Sequence, residues 1–261
     1  MKRSVTTFFI AYVLCTTLAF SQIKKIYWSD GSVPAIMRSN PDGSELEAVV
    51  VNDLINPYEV FVDQRNFKLY WSDRGTKTIE RSNLDGSDRE VVIGSFLNEP
   101  RGLAIDPISE KLFWVDFGTQ KIQKANLSDG SEIETIIEGI IEEPHGIVID
   151  HKNQKLYWTD RKAKKIQQSN IDGTNIITII ESGLQNPAGI DLDIENKRLY
   201  WTDSVSDRIQ SANFDGSDVK TLISGVDTPF RIRLDLKNKK FYYTDFSLSI
   251  IGIANLDGSE I

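Results

Sequence analysis

The chain has almost no cysteine to support chemistry or cross-linking. Cys15 is the only cysteine among 261 residues, and it lies in an apolar N-terminal segment. Once that segment is removed, no thiol remains to form a disulfide, although an exported protein could form one. We therefore expect the fold to be stabilised by packing, which a chain of this length can supply.

Residues typical of catalytic sites are also scarce. His145 and His151 are the only histidines, and no serine lies in the strand-turn-helix context of a nucleophile elbow. The sequence therefore predicts no enzyme, no cofactor and no metal site. The formal net charge of −8 also argues against nucleic acid or an anionic membrane as a partner.

Long apolar runs are missing except near the N-terminus. There, Lys2 and Arg3 precede an apolar stretch from Val5 to Phe20, and Ala19-Phe20-Ser21 places small residues before a cleavage point. This pattern predicts a secretory signal peptide over 1–21, and the stretch is short for the alternative, an uncleaved anchor. We expect a mature chain over 22–261 that is secreted, or periplasmic in a bacterium, without membrane insertion.

What the chain does contain is a repeat. An aromatic pair, one further residue and an aspartate recur every 42 to 44 residues. The six copies are Tyr27-Trp28-Ser29-Asp30, Tyr70-Trp71-Ser72-Asp73, Phe113-Trp114-Val115-Asp116, Tyr157-Trp158-Thr159-Asp160, Tyr200-Trp201-Thr202-Asp203 and Tyr242-Tyr243-Thr244-Asp245. A period of this length, filled with short strands, is typical of propeller blades.

Two further signals share that period. An Asn-x-Asp-Gly turn, such as Asn83 to Gly86, follows each motif, with one extra residue in the third copy. A proline then opens an apolar strand that ends in aspartate, as in Pro100 to Asp106. Aspartate-glycine between apolar runs favours a hairpin, so each period predicts four short antiparallel strands.

The three signals together resemble the low-density lipoprotein receptor class B repeat, named YWTD after its motif, from Ile23 to Ile261. The resemblance implies an all-β, six-bladed propeller of four-stranded antiparallel blades that binds proteins outside the cell. Relatives of this kind in animals carry cysteine-rich modules beside the propeller, which this chain lacks.

Counting strands predicts an incomplete ring. The repeat pattern begins at a second strand and stops after a third strand, so one inner and one outer strand are unaccounted for. We expect the protein to continue beyond Ile261, and we expect the chain as given to leave an open seam between its first and last blades.

Antiparallel strands place the loops after each motif aspartate and the loops carrying each proline on one face, here called the top face; the Asp-Gly turns lie on the opposite, bottom face. In the family, protein ligands dock across the top. By position, the resemblance implies a binding surface of Tyr58, Arg101, His145, Ala188 and Phe230, surrounded by Arg74, Phe117, Arg161, Lys162 and Phe246. Aromatic residues and arginine are typical of interface centres. Because an imidazole gains its charge between about pH 5 and 7, the presence of His145 predicts that the affinity for the partner changes over this range.

Charged residues also interrupt two inner strands, at Asp191 and Arg233. We expect them to pair across adjacent blades, since buried charges need partners; the alternative is a polar channel that holds a cation or a small substrate. The sequence thus favours a protein-binding module. The alternatives are a lactonase-like hydrolase with a metal in the channel, and a fragment of a larger lipoprotein-receptor-related receptor.

Overall fold

The computed structural model describes residues 8–12 as backbone and residues 25–259 in full. These residues form 23 β-strands arranged in six antiparallel sheets. Within the described ranges, no helix is long and apolar enough to cross a membrane.

In each sheet the strands follow chain order, and the first strand is the innermost. The first blade contains β1 (Phe8–Tyr12), β2 (Ile26–Asp30), β3 (Ala35–Ser39) and β4 (Glu47–Val50). The second contains β5 (Pro57–Asp63), β6 (Lys68–Asp73), β7 (Thr78–Asn83) and β8 (Glu90–Ile93). The third contains β9 (Pro100–Asp106), β10 (Lys111–Asp116), β11 (Lys121–Asn126) and β12 (Glu134–Glu138).

The other three blades repeat this order. The fourth contains β13 (Pro144–Asp150), β14 (Lys155–Asp160), β15 (Lys165–Asn170) and β16 (Ile177–Ile180). The fifth contains β17 (Pro187–Asp193), β18 (Arg198–Asp203), β19 (Arg208–Asn213) and β20 (Lys220–Ser224). The sixth contains β21 (Pro229–Asp235), β22 (Lys240–Asp245) and β23 (Ile250–Asn255). The predicted six-bladed, all-β propeller is confirmed, and the predicted prolines begin five of its inner strands.

The strand count differs from the prediction in one blade. The sixth blade has no outer strand among the described residues, as expected, but the first blade is not missing its inner strand. Phe8–Tyr12 pairs antiparallel with β2 in that position. An unpaired strand edge offers free backbone donors and acceptors, and a short apolar segment can pair with it. The rest of the predicted signal peptide lies outside the described residues.

The aromatic pair of each motif joins neighbouring blades. Tyr70 of the second blade packs in one buried cluster with Trp114 of the third, and Phe113 packs with Trp158 of the fourth. The same arrangement brings Tyr157 to Trp201. Successive side chains on a strand point to opposite faces, so each motif contacts both of its neighbours, as predicted.

The last contact of this kind closes the ring. Trp28 of the first blade and Tyr242 of the sixth share a buried cluster with Ile26, and Met37 and Ile251 pack against it. The described residues therefore form a closed ring with a small seam, and the predicted open seam is not observed.

The motif aspartates bind backbone amides, as predicted for buried carboxylates. Asp73 accepts hydrogen bonds from the amides of Ile55 and Asn56 at 2.9 Å each, and from that of Gly75 at 2.8 Å. It thereby connects the loop before Pro57 to the loop after its own strand. Asp116, Asp160, Asp203 and Asp245 make the corresponding bonds, so the top-face loops are fixed in place.

In four blades the third motif residue links the blade to the next one. The hydroxyl of Ser72 donates to the carbonyl of Arg101 at 2.7 Å, and that of Thr159 donates to the carbonyl of Ala188 at 2.7 Å. Ser29 and Thr202 donate in the same way to Tyr58 and Phe230. Gly146 permits this close approach, because a Cβ at that position would lie 2.5 Å from the carbonyl oxygen of Ala188.

Candidate functional site

The centre of the top face is closed by three rings from three different blades. Tyr58, His145 and Phe230 each follow the proline of an inner strand. Their ring centroids are 5.5 Å apart for Tyr58 and His145, 6.0 Å for Tyr58 and Phe230, and 4.8 Å for His145 and Phe230, all edge to face. Edge-to-face packing is a favoured aromatic geometry. The three rings therefore form a packed layer, here called the floor, that closes the top end of the channel and lies beneath the exposed part of the top face.

His145 is neutral in this floor. Its Nδ1 lies 3.3 Å from Nη1 of Arg231, and a guanidinium can only donate. Nδ1 must therefore accept, which leaves the proton on Nε2 to be donated to the hydroxyl of Tyr58. Burial lowers the pKa of His145 well below its ordinary value of 6.5, and Arg231, Arg101, Arg161 and Arg74 lower it further.

Arginines surround the floor. The guanidinium of Arg74 lies 4.3 Å from the ring centroid of Tyr58, and that of Arg101 lies 3.6 Å from the centroid of Phe117, within the range of cation–π attraction. Arg161 donates through Nε to the side-chain carbonyl of Asn186. These contacts hold long, flexible side chains in defined positions.

Glu99 is the carboxylate that pairs with two of these arginines. It lies 3.1 Å from Nη1 of Arg74 and 2.8 Å from Nη2 of Arg101. Nε and Nη1 of Arg101 are buried and have no hydrogen-bond partner among the described residues. The top centre therefore carries more positive than negative charge.

Of the expected binding residues, Ala188 is buried and Lys162 is exposed and pairs with Glu142. The others fall into two groups. Tyr58, Arg101 and His145 are buried, so they support the surface but offer little area to a partner. The half-buried members stand around them and are here called the top rim: Arg74, Phe117, Arg161, Phe230 and Phe246. Phe230 and Phe246 are in ring contact, with centroids 6.4 Å apart.

Arg231 also belongs to this site, although it was not among the predicted binding residues. It is only 1% exposed and pairs with the buried carboxylate of Glu59 at 3.0 Å. Its guanidinium also lies 5.0 Å from the ring of Tyr58. Three inner strands have glycine at this position, whereas Arg231 and Glu59 replace it, and this departure is the signal that could have identified both.

The expected ion pair between Asp191 and Arg233 is not formed. Nη2 of Arg233 pairs instead with Glu59 at 2.9 Å, on the inner strand of another blade. Asp191 accepts hydrogen bonds from the backbone amides of Leu192 at 2.9 Å and Leu234 at 2.8 Å. Glu59 thus serves both arginines, because the narrow channel lets side chains meet across its axis as well as between adjacent blades.

No group of three or more histidine, cysteine, aspartate or glutamate side chains able to hold a metal ion occurs in the described part of the chain. The two glutamate and aspartate side chains of the channel, Glu59 and Asp191, bind arginines and backbone amides respectively.

The family profile for the low-density lipoprotein receptor repeat class B matches residues 24–63, 68–107, 110–151, 154–194 and 197–226. The chain therefore belongs to the YWTD-repeat propellers. No curated protein sequence matches it significantly.

Solved structures support this assignment. A chain in the crystal structure of a nidogen/laminin complex is 26% identical, with a TM-score of 0.82 and 90% of each chain covered. A protein of unknown function from Bacteroides thetaiotaomicron is 14% identical, with a TM-score of 0.75 and coverage of 97% of this chain and 71% of that one. A streptogramin B lyase is 13% identical, with a TM-score of 0.73 and coverage of 99% and 83%. The last two similarities show the fold alone.

Proposed function

We propose that this propeller is a protein-binding module that contacts its partner through the top rim. The observation that carries the proposal is a set of arginine and phenylalanine side chains, half exposed, on a floor fixed by hydrogen bonds and ring contacts. Such residues dominate binding energy at interface centres. A rigid surface also loses little conformational entropy when it binds.

The charge of the site indicates the chemistry of the partner. Arg74, Arg101, Arg161 and Arg231 all lower the pKa of His145, so their fields converge on the top centre. Glu99 and Glu59 offset only part of this charge. An acidic side chain on a loop of the partner would supply the missing negative charge, and its apolar neighbours would cover the rim phenylalanines.

The similarity to a chain of the nidogen/laminin complex supports a protein partner, because that structure contains two proteins bound to each other. Members of this repeat family are typically extracellular proteins. We therefore propose that the module acts outside the cytoplasm, and the proposal does not include catalysis.

The proposal can be tested by affinity capture from the extracellular material of the source organism. Immobilised wild-type protein is compared with Arg161→Ala and Phe246→Ala, which shorten half-buried side chains of the top rim. Phe67→Ala and Lys237→Ala serve as controls, because Phe67 is 62% exposed and Lys237 is exposed on the bottom face. All five proteins are first checked for equal thermal unfolding.

A protein retained by the wild type and both controls, and lost with both rim variants, would support the proposal. The dissociation constant of the captured protein should then rise by a factor of about 30 per rim variant, which corresponds to about 2 kcal/mol. Equal loss with the bottom-face variants, or equal retention by all five proteins, would contradict it.

A further inference from the structure

The lower half of the channel contains a cavity that the proposed function does not use. Its volume is about 400 Å³, and it opens on the bottom face between the loops that carry Gln64, Pro107 and His151. Residues of five inner strands, β5, β9, β13, β17 and β21, line it. Of the sixth inner strand, β1, the backbone alone is described.

The cavity is closed toward the top face. Glu59 lies between Arg231 and Arg233 at 3.0 Å and 2.9 Å and forms a charged layer across the channel. The rings of Tyr58, His145 and Phe230 lie above that layer. Among the described residues the channel is thus a blind pocket, and a ligand would enter from the bottom face.

Most of the cavity wall is apolar. Phe61, Leu103, Ala104, Val148 and Leu192 all line it. Pockets of this size with an apolar wall and a few fixed polar groups are typical of small-molecule sites. The wall therefore suits the hydrocarbon part of a ligand.

The charged side chains of the described wall are Asp63, Arg65, Asp191 and Arg233, and Asp191 is the one with open acceptor positions. Its two carboxylate oxygens each accept one backbone amide, from Leu192 and Leu234, and each retains acceptor capacity. Arg233 also lines the cavity, and its positive charge partly offsets the effect of burial on the pKa of Asp191. Its Nη2 pairs with Glu59 at 2.9 Å, and Asp191 forms no direct ion pair among the described residues. Asp63, the other carboxylate of the wall, is occupied by the backbone of Arg65 and by the backbone and side chain of Asn66.

We propose that this cavity binds a small organic amine, with its ammonium group on Asp191 and its apolar body against Phe61, Ala104 and Val148. The ammonium group donates to the acceptor positions of that carboxylate that the two backbone amides leave open. A ligand with a carboxylate instead would meet the like charge of Asp191. Burial raises the pKa of Asp191, although the charge of Arg233 and the amides of Leu234 and Leu192 act in the opposite direction, so binding should strengthen as the pH rises and the carboxylate ionises.

The test measures binding of three matched probes by isothermal titration calorimetry at neutral pH. These are 2-phenylethylammonium, its neutral analogue 2-phenylethanol, and the anion 3-phenylpropanoate. In the wild type we expect the ammonium to bind about tenfold more tightly than the alcohol, and the anion to bind least. Equal affinities for the ammonium and the alcohol, or no saturable binding of the ammonium, would overturn the proposal.

Two variants locate the site. Asp191→Asn should reduce the affinity for the ammonium to that for the alcohol, and Ala104→Leu should abolish binding of both by filling the cavity. Glu195→Gln is the control, because Glu195 is an exposed carboxylate that pairs with Lys152 outside the cavity. Unchanged ammonium affinity in a folded Asp191→Asn protein, or in Ala104→Leu, would also overturn the proposal. Should Asp191→Asn fail to fold, the probe series and Ala104→Leu still decide it.

Discussion

The Tyr58 hydroxyl and Nε2 of His145 form a hydrogen bond between residues 87 positions apart. They come from the second and fourth blades, so the bond passes over the channel and not between adjacent blades. It fixes both rings in the floor beneath the top rim. These two residues consequently support a binding surface, and the rim residues around them present it.

The first prediction concerns pH and stability. The pKa of His145 is well below 6.5 in the folded protein because of burial and four nearby arginines. The unfolded chain therefore takes up a proton first as the pH falls, and stability should decrease below about pH 6.5. The free energy of unfolding, measured by urea denaturation from pH 5 to 8, should fall less steeply toward acid in His145→Gln. His151→Gln, a change at an exposed side chain, should leave the profile as in the wild type.

The same reasoning changes the expectation for binding. Burial and the four arginines lower the pKa of His145 well below its ordinary value of 6.5, so its protonation is displaced to lower pH in the folded protein. Partner affinity should not show the His145-dependent change that the sequence suggested. The expectation would be contradicted if the affinity of the wild type changed between pH 5 and 7 and that change disappeared in His145→Gln.

The second prediction concerns Glu59. This carboxylate is 2% exposed and pairs with both Arg231 and Arg233. Glu59→Gln removes the negative charge and leaves two arginines in the channel, at an expected cost of about 3–5 kcal/mol in the free energy of unfolding. Glu47→Gln removes the exposed partner of Arg38 and should cost about 0–1 kcal/mol. Similar costs for the two variants would mean that the channel arginines find other partners or solvent.

The third prediction concerns the seam between the first and last blades. Among the residues whose side chains the structure describes, its buried cluster consists of Ile26, Trp28 and Tyr242, whereas the cluster between the third and fourth blades has ten buried members. Regions with few buried apolar contacts open at lower free energy. In hydrogen exchange read by mass spectrometry, β2 and β23 should exchange before β14 and β15. Uniform protection of all four strands would count against a weak seam.

The blades could be predicted because three sequence signals recur with the same period. The aromatic motif and the proline each mark a strand, and the Asn-x-Asp-Gly sequence marks the turn between two strands. The central side chains were less predictable. Arg233 pairs with Glu59, 174 positions away, and not with Asp191 on the adjacent blade. Sequence identifies neighbouring blades, but it does not give the width of the channel, and that width decides which charges meet. The burial of Tyr58 and His145 follows from the same short distances across the centre.

The last prediction uses the one motif whose third residue cannot form the bond between blades. Val115 occupies the position of Ser72 and Thr159, and the carbonyl of His145 receives no corresponding hydroxyl bond among the described contacts. In the second, fourth and fifth blades this hydroxyl donates to the inner strand of the next blade and accepts an amide from the inner strand of its own blade, as Thr159 accepts from Gly146 at 2.8 Å. Val115→Thr would offer the same two bonds to the carbonyl of His145 and the amide of Gly102.

We expect Val115→Thr to stabilise the protein by about 1 kcal/mol, because both partners already face the site and the side chain keeps its shape. The melting temperature should rise by about 2–4 °C for a chain of this length. The reverse change, Thr159→Val, removes the bond to Ala188 and leaves a buried amide and carbonyl without this partner, so it should cost about 1–3 kcal/mol. Both changes are measured by thermal and urea unfolding. A lower stability in Val115→Thr would show that the third blade is spaced differently from the others, and it would remove the hydroxyl link as a general feature of this ring.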